Sequence, residues 1–236
     1  MRRLTAAMED YLKAIYKLQQ QAGSATTQAL ARLLKVKPAS ATNMLKKLAR
    51  LKLVRYSAYR GVQLTPAGEK MALEIIRHHR LLELYLRQAL KVPLHKVHEE
   101  AERLEHALSE ELEDLIAAAL GNPTYDPHGD PIPTKDGHIS QTRHPHLAEV
   151  PQGRRFLIVR VSDSNPELLR YLEELGLVPQ AVVTVLNREP FGGPIWVKVN
   201  DRTHALGQEA AHHVFVRPVE EVTQRGARRK TRSGRR

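Results

Sequence analysis

From Arg154 onward the apolar residues of this 236-residue chain change their period. Before that point they recur every three to four positions, the spacing of amphipathic helices. After it they fall in short Val- and Ile-rich runs, the pattern of strands. RRFLIVRVS, AVVTVLNRE, PIWVKVN and HHVFVRPV read as strands, with a short helix, PELLRYLEELG, between the first two. A chain with such a switch needs a helical body and a small all-β unit, each with its own core. The length allows both.

Within the helical part, EDYLKAIYKLQQQ places Leu12, Ile15, Tyr16 and Leu18 at helical spacing, and Gly23-Ser24 ends it. TTQALARLLKV predicts a short second helix capped by Thr26 or Thr27. KPAS reads as a turn, SATNMLKKLARLKLV as a third helix, and RYSAYRGVQLT as a hairpin with Arg60-Gly61 near its turn. TPAGEK opens a long helix, with Thr65 as cap and Pro66 at its first position. Pro93 separates that helix from one holding HEEAERLEH, and another runs from about Glu110 to Leu120 before Gly121-Asn122-Pro123 stops it. Residues 122–151, rich in Pro, Gly, His and Asp, read as loop. The expected division is a winged helix-turn-helix over 1–65, a helical domain over 66–134, a linker over 135–150, a β-barrel over 151–220 and a basic tail over 221–236.

No apolar run approaches the roughly 20 residues of a membrane helix. The opening MRRLTAAMED turns acidic too soon for a signal peptide, and the absence of cysteine excludes disulfides and thiolate metal sites. These features point to the cytoplasm. The formal net charge is +11, but the tail from Arg225 carries seven basic residues and no acid, which leaves 30 basic against 26 acidic residues elsewhere. Charge is also segregated inside the chain. Thr26 to Arg60 holds nine Lys or Arg and no Asp or Glu, whereas His98 to Asp114 holds eight acids and one Arg. The first block suggests phosphate binding and the second, with its histidines, a cation.

Three helices and a hairpin in that order make a winged helix-turn-helix, whose third helix enters the major groove of double-stranded DNA. Ser40, Thr42, Asn43, Lys46 and Lys47 supply the small polar and basic face such a helix needs. Asn pairs with adenine edges, and Lys with phosphate or guanine. Arg60 at the hairpin tip is placed for an adjacent phosphate, and Thr27, Lys37 and Pro38 complete the candidate DNA-binding set. The alternative is an ordinary solvated face of an amphipathic helix.

In the acidic block, Glu102, Glu105 and His106 lie at ~40°, ~−20° and ~80° from His98 on a helical wheel, all on one face. His79 and Glu83 form an i, i+4 pair on the preceding helix. If the two helices pack together, three histidines and three carboxylates converge. Clustered carboxylates repel unless protonated or bound to a cation. The metalloprotease motif H-E-x-x-H is absent, since Glu102 stands four after His98. A packing role for the histidines, with the acids paired to Arg80 and Arg103, is the competing reading.

EDYLKAIYKL, KPASATNMLKKL, GVQLTPAGEKMA, HHRLLELYL, VHEEAERLEHALSEELE and GNPTYDPHGDPIP together resemble the iron- and manganese-dependent repressors of the diphtheria toxin repressor family, from about Ala6 to Val219. LRYLEELGLVPQAVVTVL looks like the SH3-like barrel that some members append, with Gln180 where Gly is usual. The implied fold class is α+β: a winged helix-turn-helix, a helical dimerisation and metal-binding domain, and a C-terminal SH3-like barrel. The resemblance assigns Asp10, Glu102, Glu105 and His106 to one metal site, and His79, Glu83, His98, Asp126, His128 and Asp163 to a second. Lys13 stands where some barrel-free members carry a further carboxylate, which argues against a closely paired site. Members of the iron-responsive branch carry Met and Cys among the first-site ligands. The oxygen donors here suit Mn(II), with Fe(II) the alternative.

The resemblance therefore implies a non-enzymatic, metal-dependent repressor controlling metal-ion homeostasis genes. It implies a homodimer on a palindromic operator, with Leu81, Leu84 and Tyr85 as interface candidates. A metal-independent winged-helix regulator and a metal-dependent hydrolase are the other readings.

Overall fold

A computed structural model describes residues 4–57, 61–140 and 142–219. The chain begins with α1 (Ala6–Ala22), α2 (Thr27–Leu33) and α3 (Pro38–Arg50), followed by β1 (Val54–Ser57) and β2 (Gly61–Leu64). Leu12 and Ile15 of α1, Leu30 of α2, Leu45 and Leu48 of α3 and Val62 of β2 are all fully buried in one core. The wing is a regular antiparallel pair, Val54 opposite Leu64 and Ser57 opposite Gly61. Thr26 caps α2 by accepting from the Ala29 amide at 3.1 Å. α3 starts earlier than the sequence pattern suggests, because Pro38 occupies its first turn rather than a preceding turn. It also stops at Arg50, not Val54: Lys52 takes a φ of 60°, and Leu53 turns back into the core.

α4 (Pro66–Gln88) is the backbone of the molecule, 23 residues and so roughly 34 Å long. Thr65 caps it by accepting from the Gly68 amide, while its own hydroxyl donates to the Lys52 carbonyl. α1 packs on its first half, and α5 (Leu94–Leu104) and α6 (Glu110–Ala119) on its second. Leu81, Leu82, Leu84, Leu86, Val97 and Ile116 form that second core. Leu81 and Leu84 are thus spent inside the protomer and do not supply a dimer surface. The exposed large apolar residues of α5 and α6 are Leu104, Leu112 and Leu115.

The C-terminal unit comprises β3 (Arg155–Val161), α7 (Pro166–Leu175), β4 (Val182–Arg188), β5 (Ile195–Val199), β6 (Arg202–Leu206), α8 (Gln208–His212) and β7 (Val214–Pro218). Its strands form one antiparallel sheet in the order β6-β5-β4-β3-β7. Ile195, Val197 and Val199 point inward and Trp196 and Lys198 outward, the expected period of two. β6 escaped sequence reading because its only fully buried residue is Leu206. The signal for it is Asn200-Asp201, both at positive φ, a two-residue hairpin turn. Gln180 keeps the turn before β4 with a φ of 74°, which explains why glycine suits that position.

The unit is tied to the helical body at two places. Leu94 of α5 joins the core of the sheet, and Glu173 of α7 accepts from its amide while pairing with Arg87 and His95 at 3.0 Å. The 126–130 turn lies against β3, with the Val161 amide donating to the His128 carbonyl at 2.9 Å. Gly129 has a φ of 92°, and a Cβ there would sit 1.9 Å from the Val159 carbonyl oxygen. Gly129→Ala therefore has to displace this turn, and we expect a loss of roughly 2–4 kcal/mol, measurable as a lowered midpoint in denaturant unfolding. No helix among the described residues is long and apolar enough to cross a membrane.

Candidate metal centre and nucleic-acid interface

α1 meets the end of α5 through charged side chains. His106 Nε2 lies 2.9 Å from Asp10 Oδ1, and its Nδ1 lies 2.7 Å from Glu9 Oε2. Lys13, the next turn of α1, donates to Glu102 Oε1 and Glu105 Oε1, both at 2.6 Å. The other oxygen of Glu105 is 2.5 Å from His79 Nδ1 on α4. The backbone explains how Glu105 comes to face inward. α5 ends at Leu104, and Glu105–Ala107 form a 3-10 turn, so Glu105 and His106 do not continue the α-helical wheel. The tighter winding carries Glu105 to complete burial and turns His106 toward α1.

A second group adjoins the first. His79 Nε2 lies 2.9 Å from Glu83 Oε1 and 3.0 Å from His98 Nδ1. Glu83 Oε2 is 3.6 Å from His128 Nδ1, and Asp163 Oδ2 is 3.6 Å from His98 Nδ1. His128 arrives on the 126–130 turn, which Asp126 shapes by accepting from the amides of His128 and Asp130 at 2.9 Å. Four overlapping triads present donor atoms within 4.8 Å of one another: Asp10-Glu105-His106, His79-Glu102-Glu105, His79-Glu83-His98 and Glu83-Asp126-His128.

The electrostatics of this region follow from packing acids and imidazoles away from water. Burial opposes charge on His79, but Glu83's charge and its bonds to Glu105 and Glu83 outweigh it and push it up to about 9. His128 likewise rises to about 9, burial being overcome by attraction to Glu83 and Asp126. Burial also works against Glu83, yet His79 and His128 hold it well below the carboxylate range. Asp126 goes the other way, raised by burial and by the neighbouring charges of Glu83 and Asp130. His128 Nδ1 is buried with no hydrogen-bond partner among the described residues, a ring nitrogen aimed into the cluster while Nε2 donates to the Leu94 carbonyl at 3.3 Å. All these atoms are carboxylate oxygens or imidazole nitrogens, the donor set of a hard or borderline divalent ion. The residues fit a metal.

Three family models cover most of the chain: the N-terminal DNA-binding domain of iron-dependent repressors at residues 3–62, their metal-binding and dimerisation domain at 65–134, and the FeoA domain at 146–218. The iron-dependent repressor IdeR of Mycobacterium leprae is 31% identical over 232 residues, covering 93% of this chain and all of that protein. The chain belongs to the iron-dependent (diphtheria toxin) repressor family. The regulator MntR of Bacillus pumilus is 39% identical over 105 residues, 44% of this chain and 72% of its own. A solved manganese-dependent transcriptional repressor in complex with manganese superposes with a TM-score of 0.82 at 37% identity, covering 90% of this chain and all of its own. As a member of this family the protein is a metal-dependent, DNA-binding transcriptional repressor that works as a homodimer, and its C-terminal sheet is of the SH3-like FeoA type.

All ten residues named from sequence as repressor metal ligands lie in or beside this cluster. Asp163 is the most distant, reaching His98 only at 3.6 Å. Glu99 and Glu100 face away and pair with Arg103. Arg80 instead pairs with Asp126 and Asp130, at 3.6 and 3.7 Å. Sequence reasoning missed Glu9, although it adjoins Asp10, and the inward reach of Lys13, which depends on how α1 is rotated against α5.

On the repressor's DNA-binding unit, Ala41, Leu45 and Leu48 bury one face of α3. Ser40, Asn43, Lys46 and Lys47 are exposed on the other, with Lys37 and Pro38 exposed at its start. Thr42 is half-buried, and its hydroxyl donates to the Pro38 carbonyl, so it is partly committed to the helix. Thr27 is half-buried at the start of α2. Arg60 lies outside the described residues, as does the basic tail.

The raised His79 and His128 set a pH dependence for the metal-free repressor. Both bind protons more tightly folded than unfolded, so their stabilisation is complete below about pH 6.5 and lost as pH climbs through about 9. Thermal melts in chelator across pH 6–10 should show this decline, and His128→Gln should flatten it.

Proposed function

We propose that this protein is a Mn(II)-responsive repressor of metal-homeostasis genes, in which metal ties the DNA-reading unit to the dimer body. The observation that carries the reading is the all-oxygen-and-nitrogen donor set around Glu105, drawn from α1, α4, α5 and the 3-10 turn after it. Asp10, Glu102, Glu105 and His106 would hold one ion. His79, Glu83, His98 and His128, with Asp126 and Asp163 at the edge, would hold another. When bound, an ion supplies two positive charges to carboxylates that otherwise repel. Neither thiol nor thioether is present in the set, which favours Mn(II) over softer ions. The manganese-dependent repressor among the structural relatives supports the same choice. Fe(II) is the second reading, favoured by the IdeR relative that matches along its whole length.

The path from ion to DNA runs through α1. Asp10 lies on the helix whose Leu12 and Ile15 pack against Leu30 of α2 and Leu45 of α3. Fixing Asp10 against His106 therefore fixes the recognition helix relative to α4 and α5. Exposed Leu104, Leu112 and Leu115 furnish the apolar dimer surface on that same body. A two-fold dimer presents two α3 helices to a palindromic operator. Asn43 reads base edges, Lys46 and Lys47 contact phosphate or guanine, and Ser40 approaches the groove floor.

Metal favours DNA only by binding the DNA-competent arrangement more tightly, typically by about 1–3 kcal/mol, or roughly 5–150-fold in affinity. Operator affinity measured with Mn(II) and with chelator should differ by a factor in that range, and equal values would end the sensor reading. Glu102→Ala should abolish the difference. Asn43→Ala should weaken DNA binding while calorimetric metal uptake stays intact. Parallel titrations with Fe(II) decide between the two ions.

A further inference from the structure

Lys13 contacts Glu105, which both donor triads around it share, and Glu102, which belongs to one of them. Its Nζ is 2.6 Å from Glu102 Oε1 and 2.6 Å from Glu105 Oε1. The side chain is only 18% exposed, and Glu105 not at all. The Lys13–Glu105 pair is no solvated surface pair of the kind that contributes little, whereas Glu102 is 40% exposed. The ammonium spans from α1 to α5 and to the turn that follows, and it holds one oxygen each of Glu102 and Glu105, members of the Asp10-Glu105-His106 and His79-Glu102-Glu105 triads.

Resting on the metal-centre reading above, we propose that Lys13 is a built-in counter-cation that competes with the metal for Glu102 and Glu105, and so sets the metal concentration at which the repressor responds. Asp10, Glu102 and Glu105 offer three negative charges, and the Lys13 ammonium, in contact with two of them, cancels part of what would otherwise attract an incoming ion. A divalent ion on the same oxygens repels the ammonium at contact range, so uptake requires Lys13 to give up its two bonds. Its long flexible stem allows that withdrawal. Lys13 and Asp10 share one face of α1, so the exchange passes the link between α1 and the body from one side chain to the other. The helix stays docked while its partner changes. A cation carried by the chain itself raises the free-metal threshold without removing a ligand.

The test is Mn(II) titration of the full-length wild type, Lys13→Gln and Lys13→Arg, with free Mn(II) followed by electron paramagnetic resonance. Lys13→Gln should tighten binding at this site by roughly tenfold or more, about 1.4 kcal/mol. Lys13→Arg, which keeps the charge, should stay within roughly threefold of wild type. The Mn(II) midpoint for operator binding should fall by the same factor in Lys13→Gln. If Lys13 were only a structural tie, Lys13→Gln would melt earlier and bind Mn(II) equally or more weakly, which overturns the proposal. Lys13→Met gives the same readout should the Gln variant fail to fold. Wild type that takes up no ion sinks the metal centre and this proposal together. Uptake that Glu102→Ala impairs but Lys13→Gln leaves unchanged sinks this proposal alone.

Discussion

Glu105 carries a charge in a place with no access to water, held between an ammonium from α1 and an imidazole from α4. An isolated carboxylate there would be prohibitively costly, so its partners are obligatory rather than decorative. That requirement couples three helices distant in sequence: Lys13 and Glu105 are 92 positions apart, and His79 and Glu105 are 26. The same need for compensation spreads outward. His79 leans on Glu83, Glu83 on His128, and His128 on the turn that Asp126 folds against the C-terminal sheet. DNA-binding unit, helical body and FeoA-type sheet are therefore joined through one continuous run of charged side chains.

α4 makes this arrangement mechanically useful. One long helix receives α1 at one end and α5 and α6 at the other, so the DNA-binding unit and the helical body share it. The DNA-binding unit has its own core, of which Leu12 and Ile15 of α1 are members. α1 thus belongs to two bodies at once: it buries its apolar face in the DNA-binding unit and turns its charged face to the carboxylate and histidine cluster. A local change of charge on a helix with that double commitment would, in the proposed mechanism, act on the DNA-binding unit as a piece, because close-packed cores resist internal deformation.

Much of this was legible from residue order. The three-helix-and-hairpin order, the Thr65-Pro66 start of α4, the helix near 110–120 and four of the five strands of the C-terminal sheet follow from periodicity and local breakers. So do the exposed Ser40, Asn43, Lys46 and Lys47 on α3, since Leu45 and Leu48 fix which face is buried. The resemblance to a known family supplied the ligand set, which spacing alone left open. Other features were hidden for definite reasons. β6 lacks an apolar signature because it is an edge strand with little to bury. Leu81 and Leu84 looked available for an interface because periodicity says only that a face is apolar, not which partner covers it. The winding of residues 105–107 was misread as α-helix because one residue's change of hydrogen-bond register leaves no trace in composition.

Sequence by itself determined the kinds of unit present, the faces they bury and the separation of a basic reading surface from an acidic, histidine-rich one. These are properties of short windows, set by side-chain period and by charge that neighbours cannot cancel. Tertiary structure alone decided that Lys13 points inward to Glu102 and Glu105, that Glu105 is sealed from solvent, and that His128 Nδ1 is left aimed at Glu83 without a hydrogen bond. Each depends on the rotation and distance between elements separated by tens of residues, which packing of the cores fixes and no local pattern encodes.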